Sequence, residues 1–215
     1  RMVDSASPDW FEETPTRVRA VPIVRERAGE GRETRVIGVV TRHTNLGEAR
    51  TPSRQQITFN DCADDLFGMI ASGEFPDLKA PTSPRRGAPR ASDGLIRLDV
   101  DGITTFASPN ALSAFNRMGF DDELEGESLA EVTERILPAK RQDVDESLPI
   151  VVTGRAPWRA DIEARGVQVS LRTIPLRDRG TRIGAIVLSR DVTEIRHQEQ
   201  ELITKDATIR EIHHR

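Results

Sequence analysis

No tyrosine, one cysteine and four histidines occur in this 215-residue chain, and these scarcities exclude more chemistry than its common residues suggest. A single thiol, Cys62, rules out an intramolecular disulfide framework and fits a reducing compartment. His43, His197, His213 and His214 all lie outside residues 44–196, and no cysteine follows Cys62. A zinc site needs three or four such ligands close together, so no metal is expected. His43 and Cys62 would supply at most half a site; a surface loop for His43 and a helix core for Cys62 account for them better. No apolar run approaches the ~18–20 residues that span a bilayer, and no basic-then-apolar leader is present. The expected location is cytoplasmic, with no membrane partner. A net charge of −4 argues against direct nucleic-acid binding, which needs a basic surface.

Residues 1–75 read as a small α/β segment. Thr16–Arg25 alternates as one strand, Val36–Val40 forms a second, and a loop runs through Asn45 and Gly47. Thr51-Pro52 is the expected N-cap and first residue of a helix that stops at Gly73. That helix aligns Ile57, Cys62, Leu66, Met69 and Ile70 on one face. Two strands and one helix cannot close a core alone, so either a partner covers them or a preceding portion is missing. Residues 76–92, with Pro76, Pro81, Pro84 and Pro89 among Arg85, Arg86 and Arg90, read as a solvated linker.

A second domain spans 93–193. Leu95–Val100 and Ile103–Ala107 alternate as strands around Asp101-Gly102, the preferred two-residue hairpin turn. Ser108-Pro109 opens a helix with Ala111, Leu112, Phe115 and Met118 on its apolar stripe. Helical stretches at Leu129–Ile136 and Asp143–Val152 precede three strands, Trp158–Ala164, Val167–Leu176 and Arg182–Ser189. Arg165-Gly166 and Asp178–Gly180 supply the turns between them.

Residues 194–215 contain no glycine or proline, and Glu201→Lys205, Asp206→Arg210 and Glu211→Arg215 place each acid four residues before a base. Each pair contributes only ~0.2–0.5 kcal/mol, so the pattern marks a helix rather than drives one. Ile195, Leu202 and Ile209 recur at seven residues, reinforced by Val192 and Ile212. The seam is interrupted by the polar Glu199 and Asp206, giving a short, imperfect parallel coiled coil.

The element order of 93–193 resembles the PAS domain, a five-stranded antiparallel sheet with helices over one face. Asp101-Gly102, Ser108-Pro109-Asn110-Ala111 and Asp191-Val192-Thr193-Glu194 sit where that family carries its hairpin, its helix start and its closing Asp-x-Thr. Asp9-Trp10, Arg42–Leu46, Arg50–Ser53 and Cys62–Pro76 resemble the end of a GAF-type domain. Together with Ile209–Arg215, they are similar to the sensor regions of actinobacterial cytosolic sensor histidine kinases of the PdtaS type. The fold class is therefore α+β: a partial GAF-like domain, a PAS domain and a C-terminal signalling helix.

That resemblance implies a role for the last residues. Ile209–Arg215 matches the phosphoacceptor box, making His214 the acceptor and Arg215 the group that offsets charge on its phosphorylated ring. Composition alone does not choose between His213 and His214. An imidazole of ordinary pKa, ~6.5, is largely neutral at pH 7, as attack on the γ-phosphate of ATP requires. The chain has no phosphate-binding loop of its own. ATP with Mg is accordingly implied for a separate kinase domain, and this fragment alone is expected to be inactive. A homodimer through the helices and a response regulator of the RNA-binding antiterminator type are the implied partners. Within the PAS portion, the missing Cys, His and Tyr argue against flavin-adduct, haem and tyrosine-anchored chromophores. A small-molecule ligand and an empty core filled by Phe106, Phe115, Met118 and Leu171 both remain open. Arg159, Arg172 and Arg177 would suit either an anion or a solvated sheet face. The alternative reading is a PAS dimerisation module of a diguanylate cyclase or transcription regulator, distinguished by the sequence that follows the box.

Overall fold

The computed structural model describes residues 16–26, 34–45, 51–76, 89–137 and 146–213. They divide into two compact units, split between Gly73 and Glu74. Residues 77–88, which hold most of the expected linker, lie outside the described residues.

In the first unit, β1 (Thr16–Glu26) pairs antiparallel with β2 (Thr34–Asn45), and α1 (Arg54–Ala71) follows. His43 lies within β2, opposite Val18, rather than in a loop. Ser53, not Thr51, caps α1: its hydroxyl accepts from the Gln56 N–H at 3.2 Å. The earlier Thr-Pro pair lies outside the helix because Ser53 offers the same cap two residues nearer the apolar stripe. Arg19 (2.6 Å) and Arg42 (2.8 Å) from the two strands converge on Asp64 of α1. Only Cys62 and Met69 of the expected helical stripe are buried, and Ile57 is 47% exposed. Val18, Val36, Ile37 and Val39 are also more than half exposed.

The second unit is a five-stranded antiparallel sheet in the order β4-β3-β7-β6-β5. Its strands are β3 (Gly94–Leu98), β4 (Thr104–Ala107), β5 (Arg159–Ala164), β6 (Val167–Asp178) and β7 (Thr181–Asp191). Three helices, α2 (Pro109–Arg117), α3 (Leu129–Ile136) and α4 (Leu148–Val152), lie between β4 and β5 in the chain. Alternation sends Ala160, Ile162, Val169, Leu171, Ala185 and Val187 to one face, where they pack with Phe115, Met118, Leu129 and Val151 of the helices. Phe106, Phe115, Met118 and Leu171 are all buried, as their apolar character predicts.

Two local expectations require correction. Asp101-Gly102 is not a two-residue hairpin turn: five residues, 99–103, join β3 to β4. The Asp99 carboxylate accepts from the backbone N–H groups of Asp101 and Ile103, both at 2.9 Å, and this side-chain turn replaces the tight one. The tight turns instead occur at Arg165-Gly166 (φ 51 and 75) and Arg179-Gly180 (φ 49 and 83). Both positive φ values in each pair match the twist of the flanking strands. The helix expected over 143–152 is described only as Leu148–Val152, preceded by a turn at 146–147; residues 138–145 lie outside the described residues. Pro149 sits in its first turn, where the missing N–H leaves no helical bond unmade.

Ser108 does precede α2, with Pro109 as its first residue. Its hydroxyl accepts not from the helix but from the Leu95 N–H at 2.8 Å, tying α2 to β3. Gly94 lets these parts meet: a Cβ there would lie 2.3 Å from Ser189 Oγ and 2.6 Å from the Ala111 backbone.

Candidate functional site

The site that the fold constructs is the junction where β7 becomes α5 (Thr193–His213). Here Asp191, Val192 and Thr193 fix the turn. The Thr193 N–H donates to Asp191 Oδ1 at 3.0 Å, and the Thr193 hydroxyl donates to the same oxygen at 2.6 Å. The hydroxyl oxygen accepts from the Gln168 N–H at 2.9 Å, and the Val192 N–H donates to the Gln168 carbonyl at 2.9 Å. The helix start is thus stitched to the first residues of β6. Arg117, in the last turn of α2, forms an ion pair with Asp191. Helix layer, sheet and outgoing helix therefore meet at one carboxylate. Burial pushes the Asp191 carboxyl up, but the Thr193 hydrogen bonds and the Arg117 charge outweigh it and hold it below its ordinary value.

A second clamp joins the beginning of this unit to its last strand. Arg190 Nε and Nη2 donate to the two oxygens of Asp93 at 2.8 and 2.6 Å, a fork in which the carboxylate is only 6% exposed. The Arg90 N–H donates to the same carboxylate at 2.9 Å. Burial raises the Asp93 carboxyl, yet these bonds and the two arginine charges carry it below its usual range. The sequence reading missed this pair. Its members lie 97 residues apart, and nothing local in either segment marks the pairing.

Beyond the junction, α5 touches the sheet through Arg196, which donates to Asp161 of β5 at 2.7 Å. Farther along, Leu202 (63%) and Ile203 (62%) are exposed, and Glu201–Lys205 forms the expected i,i+4 pair at 3.8 Å. Leu202, with Ile195 (45% exposed), holds a position of the heptad spacing, whereas Ile203 lies beside it. The pairs Asp206→Arg210 and Glu211→Arg215 fall outside the described side chains. So do His214 and Arg215 as residues; α5 is described to His213, one position before the expected acceptor.

The remaining candidates separate. Arg159 and Arg172 stand on the sheet face away from the helices, whereas Arg177 reaches the Gly180 carbonyl at 3.3 Å across the β6–β7 turn. His43 is exposed on β2 and Cys62 is buried in α1. Among the described residues, no group of three metal-binding side chains occurs and no helix is long and apolar enough to cross a membrane.

Residues 1–63 match the family described as the GAF domain of histidine kinase PdtaS, and residues 89–197 match the PAS fold. Sensor histidine kinase PdtaS of Mycobacterium tuberculosis is 45% identical over 184 residues, 84% of this chain and 36% of that protein. The protein of the same name from Mycolicibacterium smegmatis is 39% identical over 207 residues, 88% of this chain and 41% of that one. The chain thus spans well under half the length of these curated relatives. A solved structure described as the sensor region of a sensor histidine kinase superposes with a TM-score of 0.64 at 40% identity, covering 83% of this chain and 65% of that one.

Proposed function

The chain belongs to the PdtaS family of sensor histidine kinases, as a GAF–PAS sensor region, and from that premise we propose that it governs phosphorylation of its own His214. The sensor role follows from the family; the chemistry at the last residues is the step beyond it. One observation carries the reading. A continuous helix leaves a sheet end pinned by Asp191, Thr193 and Gln168 and runs to His213, so a change in the PAS unit is passed to whatever follows.

In the proposed reaction, a neutral ring nitrogen of His214 attacks the γ-phosphorus of ATP bound with Mg in a separate kinase domain. The bond from that phosphorus to the bridging oxygen breaks, ADP leaves, and the ring proton passes to solvent. Arg215 offsets charge on the phosphorylated ring. The phosphoryl group then moves to a response regulator, of the RNA-binding antiterminator type. The protein acts as a cytoplasmic dimer held along α5, where Leu202 and Ile203 would otherwise remain in water. A weak, polar-interrupted coiled coil suits this task, because two registers differing by a few kcal/mol can be exchanged by a modest signal.

The test is a His214→Gln variant of the full-length kinase incubated with γ-labelled ATP. The proposal expects acid-labile label on wild type and none on the variant. Undiminished labelling of histidine in the variant overturns the assignment.

A further inference from the structure

Two points of attachment fix the direction of a rod, whereas one fixes only where it starts. The Asp191–Thr193 pin sets the start of α5, and Arg196 supplies a second contact about 4.5 Å farther along the helix. Its guanidinium reaches two carboxylates at once. Nη2 donates to Asp161 of β5 at 2.7 Å, and Nη1 donates to Glu199, three residues on in α5, at 3.4 Å. One partner belongs to the sheet and the other to the helix itself, so losing Asp161 leaves the guanidinium with a partner that travels with it. The Arg196–Asp161 bridge is about half exposed at both ends, so it contributes little and a modest force opens it. Two clefts, of about 380 and 540 Å³, share Asp161, Arg196 and Glu199 in their walls, and this open space leaves the helix room to lean. The strand that carries Asp161 is itself placed to move. β5 lies at the edge of the sheet, bonded along one side to β6. Its Arg159 carbonyl accepts from the Ser147 hydroxyl at 2.7 Å, at the start of α4, whose Leu148, Val151 and Val152 are buried in the core. A repacking of the core that shifts α4 is thereby carried to β5.

We propose that Arg196 is a latch: bound to Asp161 it holds α5 against the edge of the PAS sheet, and released onto Glu199 it lets the helix lean away about the fixed Asp191–Thr193 pin. Displacement of β5 opens the latch, and α5 changes direction without detaching. Arg196 is thus a positioning residue, acting through the helix that carries it. The latch deepens the proposed role of α5 and rests on that reading for its effect on His214, whereas the contact itself is tested without any phosphorylation.

Native-state hydrogen exchange of the whole chain reads the latch at the amides of His197, Gln198, Glu199 and Gln200. Arg196→Gln and Asp161→Asn should each lower protection there about two- to fivefold, the range expected of a half-exposed ion pair. Both positions are half exposed, so either variant keeps the fold and each checks the other. The double variant should lose no more than either single one, because both changes remove the same bond. That non-additivity separates the pair from the other interactions that Asp161 holds. In wild type, protection should also fall as salt rises from ~0.01 to ~1 M, where the screening length shrinks from ~30 to ~3 Å, and Arg196→Gln should respond far less. Wild-type protection in both single variants overturns the proposal. So do additive losses in the double variant, or an equal salt response in wild type and Arg196→Gln.

Discussion

Thr193→Val isolates the joint between sheet and helix, because valine keeps the shape of threonine and removes only the hydroxyl. Two hydrogen bonds disappear: the one received from the Gln168 N–H at 2.9 Å and the one given to Asp191 at 2.6 Å. A typical bond contributes ~0.5–1.5 kcal/mol net, and one to a charged group more. Thr193 is only partly buried, so water recovers some of the loss, and the expected cost is about 1–2 kcal/mol. For a chain of this size that lowers the thermal midpoint by roughly 2–8 °C. The backbone bond from Thr193 N–H to Asp191 persists, so α5 should still form, as circular dichroism would show. Native-state hydrogen exchange gives the decisive reading. The Gln168 and Val192 amides should exchange about tenfold faster, since ~1.4 kcal/mol corresponds to one decade. An unchanged exchange rate at both amides, whatever happens to the midpoint, refutes the assignment of this hydroxyl as the pin.

Further outcomes follow from the same geometry. Asp93→Asn should destabilise the PAS unit by ~3–5 kcal/mol near neutral pH, because it leaves the Arg190 guanidinium facing a lost partner; chemical denaturation measures this. Since the folded carboxyls of Asp93 and Asp191 lie below their ordinary values, the stability they contribute is complete above the unfolded aspartate pKa of ~3.9. That contribution is lost as pH falls through the folded values, so below about pH 4 wild type should lose midpoint more steeply than the Asp93→Asn variant. Gly94→Ala should cost ~3 kcal/mol or more, because the new methyl would press on the Ala111 backbone at 2.6 Å, which cannot rotate away; urea unfolding provides the check. Leu202→Glu with Ile203→Glu should shift sedimentation toward monomer at tens of micromolar while leaving the PAS thermal midpoint within ~1 °C, since both side chains are exposed.

The elements most legible in the sequence are those whose signals are local. The alternation of Arg159–Ala164, Val167–Asp178 and Thr181–Asp191, with glycine in the turns between, gives the strand meander directly. The Asp-x-Thr at 191–193 likewise announces its hydrogen bonds, because a carboxylate two residues before a hydroxyl reaches both of its donors. Where two residues compete for one role, the same signals mislead. Thr51 and Ser53 are both good caps, and only the position of the buried stripe selects Ser53. Asp101-Gly102 has the preferred hairpin composition, but Asp99 captures the turn with its own carboxylate. The Asp93–Arg190 fork and the Arg159/Arg172 register arise only when distant strands pair, and no single-sequence pattern encodes that pairing.

The claim at the centre of this account is that α5 is a rigid rod whose rotational phase carries the PAS state to His214. Inserting residues after Lys205 in the full-length kinase tests it directly, with autophosphorylation as the readout. One inserted alanine rotates the distal helix by about 100° and should change the rate at least tenfold, whereas a seven-residue insertion nearly restores phase and should restore the rate. Equal rates across insertions of one, four and seven residues would contradict the account and reduce α5 to a passive tether.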